Sequence, residues 1–351
     1  ITKADIDETL ADVEELKKQG LLFSVDPFEE VAGEFKKKQS VLKAICLHVA
    51  HGCNMDCEYC FAGKGEYQGK SGIMSLEVGK AALDYLVANS GARRHLEVDF
   101  FGGEPLLNWD VCKELVAYGR ELEKRHNKIF NFTLTTNGVL IDDDVIDFSN
   151  REMGNVVLSM DGRKSTHDRM RKQKTGEGTY EKIMDNFKRL VDARGTKEYY
   201  MRGPYTASNK DFAEDIIHMA DLGFKETSME PVVSDPDVPY ALHLEDVPQL
   251  CEQYEKLALE MYDRMKKGEG FHFYHYNVDL TGGPCIYKRV SGCGVGTEYL
   301  AVTPTGDLYP CHQFVGDDDM LVGNIYDGIT NDAVLDIFRK GNNMYPRNNC
   351  K

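Results

Sequence analysis

Three cysteines stand within eight residues in the stretch HGCNMDCEYCFAG, residues 51–63: Cys53, Cys57 and Cys60. Two kinds of centre use thiolates at this density. A Zn2+ site wants four nitrogen or sulfur donors, so His48 or His51 would complete it. A [4Fe-4S] cubane has four irons to ligate, so three thiolates hold it and leave one iron open to a substrate or cofactor. The unequal spacing, three residues and then two, suits a loop that wraps three corners of a cube, and Tyr59 and Phe61 are placed to shield it from solvent. Spacing favours the cubane and leaves zinc open. A disulfide framework fits poorly, because the chain carries ten cysteines without a secretion signal and the cytosol keeps thiols reduced.

A chain of 351 residues can bury a sizeable core and is expected to form two domains. Its net charge of -16 argues against a nucleic-acid partner, which needs a basic face to neutralise phosphates. No apolar run approaches the ~18 to 20 residues that span a bilayer, so no membrane contact is expected and a cytoplasmic location is. The chain opens at Ile1 inside a helical pattern and stops one residue past Cys350, as expected of a fragment or of the ordered part of something longer.

The elements that must position the cysteines follow a regular alternation. Strand-like runs AICLHV, HLEVDFFG, NFTLTTNG, NVVLSMDG, YYMRGPYT and KETSMEPVV alternate with amphipathic helices at 75–89, 108–126, 142–152, 179–193 and 211–222, the second with Asn108 as its expected N-cap. Six such units imply an α/β fold with a parallel sheet, open or curled into a partial barrel, whose sites lie at the C-terminal strand ends. The cysteine loop, GGEP, TNG, SMDG and the EP at 230 and 231 fall at those ends. Before the alternation, residues 4–19 put Ile6, Leu10, Val13 and Leu16 on one helical face, and GLLFSV reads as a short strand. After it, a long helix at about 245–267 leads to a segment rich in glycine and cysteine, with a turn at TPTGDLYPC.

The C-x3-C-x2-C spacing, with an aromatic before the last cysteine and at the end of a first strand, resembles the signature of the radical S-adenosylmethionine (SAM) enzymes. The resemblance implies a partial (β/α)6 TIM-like barrel in which SAM binds the open iron through its methionyl amine and carboxylate. There it is split to methionine and a 5'-deoxyadenosyl radical. FGGEP at 101–105 is similar to the family's second motif, where the backbone of Gly102 and Gly103 and the Glu104 carboxylate would receive the methionyl ammonium. A Gly-Gly pair by itself is a tight bend. Asn137 in TTNG reads as a turn former tolerating a left-handed conformation, whereas the resemblance sets it beside the ribose and methionyl part of SAM. Ser159 and Asp161 in SMDG, with Arg171 in HDRMR, resemble the set that holds the SAM carboxylate and ribose. On residue type alone Arg171 is a solvated charge in a basic run. Tyr59 joins this cofactor-binding set.

Cys285, Cys293, Cys311 and Cys350 are spaced too widely for one loop. Their setting, GPCIYKRVSGCGVGTEYLAVTPTGDLYPCHQFVG and a later cysteine, resembles SPASM, a module carrying auxiliary [4Fe-4S] clusters. The resemblance implies that the first three ligate the nearer auxiliary cluster and that Cys350 begins a run for a second, which this sequence does not complete. Cys46, Cys112 and Cys251 are expected to be buried inert thiols. His51 and His312 are expected at the surface or beside ligands rather than as ligands. The expected division is a remnant of a winged-helix-like leader-peptide domain at 1–40, a radical SAM core at 41–235, and a bridging helix with SPASM at 236–351.

From about residue 40 the chain resembles the SCIFF maturases of the ranthipeptide class in LEVDFFGGEPLLNWDV, FTLTTNGVLIDDD, MADLGF, EPVV and GDLYPCHQFVG. The resemblance implies a thioether crosslink, cysteine sulfur to carbon, in a ribosomally made cysteine-rich precursor peptide with a leader. A low-potential ferredoxin or flavodoxin is the implied electron donor. No side chain stands out as a catalytic acid or base. An anaerobic sulfatase-type maturase, which makes formylglycine, shares every motif; a reading of another class is a non-enzymatic iron-sulfur or zinc protein.

Overall fold

The computed structural model describes residues 2–25, 41–277 and 292–342. The six expected strands form as β1 (Ala44–His51), β4 (His95–Gly102), β5 (Ile129–Thr136), β6 (Asn155–Ser159), β8 (Tyr199–Tyr205) and β9 (Glu226–Pro231), with short strands β2 (Met55–Cys57), β3 (Gly72–Ile73) and β7 (Arg171–Gln173) in the loops. The six run parallel in sequence order, each pairing with the next. Parallel pairing buries both faces, and the period of two divides them. In β4, Leu96, Val98 and Phe100 are fully buried in the main apolar cluster under the helices, which leaves Glu97, Asp99 and Phe101 to the inner face.

Five crossover helices, Leu76–Asn89, Trp109–His126, Asp143–Glu152, Tyr180–Arg194 and Phe212–Asp221, match the periodic segments. On the second, Trp109, Cys112, Leu115, Val116 and Leu122 are all buried. Asn108 holds the N-cap position without capping: its Nδ2 donates to the carbonyls of Val49 and Met74, both at 2.9 Å, tying the helix to the cysteine strand instead.

The glycine-rich C-terminal segment continues the core's sheet. Strand β11 (Tyr299–Val302) pairs parallel with β1, from Ala44 opposite Tyr299 to Leu47 opposite Val302. The antiparallel strands β12 (Asp307–Tyr309), β13 (Gly323–Asn324) and β14 (Gly328–Ile329) follow. At the other edge β9 is flanked by β10 (His272–Phe273), after the long helix Val247–Lys266.

Two expectations are corrected. GLLFSV forms turns and bends: among the described residues no strand pairs with its backbone, and Leu21, Phe23 and Val25 are exposed. The helix before it, Lys3–Lys18, buries no residue, so its apolar face is uncovered among the described residues. Cys251 is exposed on the long helix rather than buried, whereas Cys46 and Cys112 are buried as expected.

Candidate active site

The three-cysteine loop leaves the C-terminal end of β1 and is clamped from two sides. The first clamp is FGGEP. Gly103 N–H donates to Ala50 O at 2.8 Å and Glu104 N–H to Gly52 O at 2.9 Å. A Cβ on Gly103 would stand 2.1 Å from Gly52 O, and one on Gly102, at φ +128°, 2.3 Å from Ala50 O. The two glycines thus let the end of β4 touch the loop's backbone. A Gly103→Ala variant is expected to push the loop off β4 and lose bound iron, readable as weakened cluster absorbance after reconstitution.

The second clamp joins β2 and β7, pairing Cys57 with Arg171 and Met55 with Gln173. Arg171 is therefore no solvated charge. It is buried, its Nε donates to Asp161 Oδ1 at 2.9 Å, and its guanidinium lies 5.4 Å from the Tyr59 ring centroid. Tyr59 donates to Asp161 Oδ2 at 2.6 Å. Both Asp161 oxygens are thus occupied by protein, while the Nη atoms of Arg171 and the Ser159 hydroxyl have no hydrogen-bond partner among the described residues.

Glu104 is almost wholly buried. Its Oε1 accepts from Leu106 N and Thr136 Oγ1 at 3.1 and 2.8 Å, and its Oε2 from Asn137 N at 2.8 Å. Asn137 in turn places Nδ2 3.6 Å from Cys53 Sγ and 2.7 Å from Asn54 Oδ1, and its Oδ1 accepts from Val139 N at 3.0 Å. It does form a turn, but the left-handed residue there is Gly138, at φ +82°. Burial raises the Glu104 carboxyl from its ordinary 4.5 to about 7. Between those values the folded chain binds the extra proton, so this contribution to stability is full below about pH 4.5 and lost as pH rises to 7. In the metal-free chain, urea melts across this window are expected to show a decline of up to about 3 kcal/mol in the wild type that Glu104→Gln lacks.

The thiols fit a cluster with one open iron. All three are free and partly exposed, and burial raises Cys53 to about 11 and Cys57 to about 12, the latter opposed by the Arg171 charge. His51 cannot serve as a fourth ligand. Its Nδ1 donates to Lys70 O at 2.7 Å and its Nε2 therefore accepts from His48 Nδ1 at 3.2 Å. His48 packs against Tyr67 and Phe101, and among the described residues no three His, Cys, Asp or Glu groups converge to hold a single ion. Among the described residues His48 Nε2 is buried without a hydrogen-bond partner, so donor geometry alone leaves the zinc reading open. The expected shield is half right: Tyr59 is tucked in by Asp161, but Phe61 is 51% exposed.

Of the second cysteine set, Cys285 and Cys350 lie outside the described residues. Cys293 and Cys311 are near enough that the charge of Cys293 raises the Cys311 thiol, after burial. His312 Nδ1 lies 3.6 Å from Cys311 Sγ and 3.1 Å from Tyr299 Oη, and burial lowers His312 to about 4. Phe61, Phe101 and His312 form one ring cluster, with centroids 6.4 Å apart for Phe61–Phe101, 5.0 Å for Phe101–His312 and 5.6 Å for Phe61–His312, so residues adjoining Cys60 and Cys311 meet beside the end of β4.

Sequence reading missed the supports. Thr179 Oγ1 donates to Arg171 O at 2.9 Å, and His167 takes the Asp161 N–H at 3.4 Å. The fully buried Asp215 accepts from Arg163 Nε, Thr166 Oγ1 and Asn209 Nδ2, which fixes the turn after Asp161. A carboxylate amid DFAEDIIHMAD gives no sequence signal of burial.

A three-thiol loop at the C-terminal rim of a parallel partial barrel defines an α/β enzyme built around an iron-sulfur cluster. The family profile described as Radical SAM superfamily matches residues 47–216, and that of an iron-sulfur cluster-binding domain, SPASM, matches residues 293–351. A cysteine-type anaerobic sulfatase-maturating enzyme of Clostridium perfringens (strain 13 / Type A) is 35% identical over 308 residues, 82% of this chain and 78% of the relative. Native anSMEcpe with bound AdoMet and Kp18Cys peptide superposes with a TM-score of 0.68 at 24% identity, over 84% of this chain and 80% of that one. Streptococcus suis SuiB bound to its precursor peptide SuiA superposes with a TM-score of 0.62 at 15% identity, over 96% and 79%. The chain belongs to the radical SAM superfamily and carries a SPASM domain. Its cofactors are accordingly [4Fe-4S] clusters and SAM. Among the described residues no helix is long and apolar enough to cross a membrane.

Proposed function

We propose that the chain is a peptide maturase that joins a cysteine sulfur to a carbon of a cysteine-rich precursor peptide, forming a thioether. The observation that carries the reading is the contact between two cysteine sites: Phe61 beside Cys60 and His312 beside Cys311 pack directly on each other, ring centroids 5.6 Å apart, and both pack on Phe101 at the end of β4. One site serves radical initiation, and the other lies where a second sulfur-binding centre can meet a substrate thiol. Peptides bound in anSMEcpe and SuiB support a peptide substrate.

In this reading Cys53, Cys57 and Cys60 hold the SAM-binding cluster, and Cys293 and Cys311, with Cys285 and Cys350, serve auxiliary clusters. SAM held there would supply the hydrogen-abstracting chemistry that the peptide carbon needs. The free Nη atoms of Arg171 and the Ser159 hydroxyl orient the SAM carboxylate and ribose. Gly102, Gly103 and Glu104 fix the loop against β4, the Glu104 carboxylate being taken up by Leu106 N, Thr136 Oγ1 and Asn137 N rather than turned to the methionyl ammonium, and Asn137 holds its Cys53 end. Asp161 and Tyr59 lock Arg171. The barrel's inner face keeps water from the reacting atoms. Residues 41–235 form the radical SAM core and 236–351 the bridging helix and SPASM module, and residues 1–40 belong to a leader-binding region. A low-potential ferredoxin or flavodoxin donates the electron.

The product tests the reading. A two-hydrogen mass loss, with one thiol lost and sulfur retained, is expected. Loss of the sulfur would instead favour formylglycine formation, the reading favoured by the 35% identity to the cysteine-type sulfatase-maturating enzyme.

A further inference from the structure

The glutamate of the EP at the end of β9 belongs to a polar chain that none of the roles above uses. In β9, Thr227 and Met229 are fully buried, and Met229 belongs to the apolar cluster under the helices, so Ser228 and Glu230 take the inner face. Glu230 Oε1 accepts from Ser228 Oγ at 3.1 Å, and Glu230 Oε2 lies 2.8 Å from His275 Nε2. His275 Nδ1 lies 2.9 Å from Tyr254 Oη, which lies 3.3 Å from Tyr205 Oη.

The chain has a direction. A carboxylate only accepts, so His275 Nε2 carries the hydrogen. In the neutral ring Nδ1 then accepts from Tyr254, whose oxygen accepts from Tyr205. Tyr254 also stacks on His275, with centroids 5.9 Å apart and planes 22° from parallel. The Tyr205 end is buried, while the Glu230 and His275 side chains are 35% and 24% exposed, so a substrate can reach the carboxylate. A carboxylate oriented by an imidazole that is itself oriented by a third group is the arrangement of a positioned proton acceptor.

Its place on the rim agrees. Register sets Ser159 opposite Arg202 and Glu230 opposite Pro204, so Glu230 lies two strands from the Ser159 turn on the same rim. At ~4.8 Å per strand this is about 10 Å across the barrel mouth, the span of a bound peptide residue between SAM and the edge. Among the described residues β10 pairs only with Glu226 and Thr227, and above it β9 is bordered by the turn bearing His275.

We propose that Glu230, oriented by His275, accepts the proton of the substrate cysteine thiol. This rests on the peptide-maturase reading. The S–H bond breaks heterolytically, the electron pair stays on sulfur, and the proton passes to the Glu230 carboxylate; no electron is exchanged in this step. His275 and Tyr254 are positioning residues that hold the carboxylate and the imidazole tautomer.

The test compares wild type, Glu230→Gln and Tyr254→Phe in the full chain with reconstituted clusters, dithionite, SAM and a pool of synthetic cysteine-rich peptides. Deoxyadenosine and modified peptide are both quantified. Glu230→Gln keeps the side-chain shape and is expected to go on cleaving SAM while peptide product falls about 100-fold, with Tyr254→Phe between it and wild type. Product formed per deoxyadenosine at the wild-type ratio in Glu230→Gln would overturn the assignment. So would a parallel fall of both outputs with a lowered Tm, which marks a structural role. The parent reading fails differently, by giving no peptide product in the wild type; a product that has lost its sulfur changes the reaction named and leaves the Glu230 comparison valid.

Discussion

Replacing Cys53, Cys57 and Cys60 together with alanine is expected to reduce 5'-deoxyadenosine formation from SAM and dithionite to background. Three thiolates are all that the loop offers to the cluster, and His51 is committed to His48 and the Lys70 carbonyl. Burial holds Cys53 and Cys57 well above neutral pH, at about 11 and about 12, so in the metal-free chain both are thiols. Cluster assembly must then expel protons. Anaerobic reconstitution in weak buffer should release protons from the wild type that the triple variant does not release. Undiminished deoxyadenosine in the variant would place SAM cleavage elsewhere and undo the assignment of the loop.

The second large effect is expected at Asp161. Its carboxylate carries both the Tyr59 hydroxyl, at 2.6 Å, and Arg171 Nε, at 2.9 Å. Burial raises the Asp161 carboxyl, and the Arg171 charge acts against that rise. Asp161→Asn leaves the guanidinium buried against the Tyr59 ring without its anion. Removing one partner of a buried pair costs about 3–5 kcal/mol, far more than an exposed pair would. Arg171 also pairs in register with Cys57, so its displacement should move a cluster ligand. Urea unfolding should show the lost stability, and SAM titration of the reconstituted variant should show weakened binding. Equal stability and binding would mean that Arg171 finds another anion in the holoprotein.

The core was legible where function and fold are written locally. Each helix of the alternation carries its own apolar periodicity, so the five crossovers fall within a residue or two of their expected ranges. GLLFSV was not legible, because a strand needs a partner and among the described residues its backbone has none. Asn108 looked like a cap, but the carbonyls of Val49 and Met74 compete for its amide. Cys251 looked buried beside an apolar stripe, and its side of the helix faces water.

By itself the sequence determined the cluster loop, the order of strands and helices, and the rim on which the site sits. Ligands spaced three and two residues apart lie on one short loop, so their nearness is written in the local sequence. Only the tertiary structure decided what each polar side chain of the rim does. Tyr59 and Asp161 are 102 residues apart, Glu104 and Asn137 33 apart, and Glu230 and His275 45 apart. Contacts over such separations are set by sheet register and by how the loops close over the barrel. A buried carboxylate and a solvated one have the same letter in the sequence, and the donors that surround it after folding decide which it is.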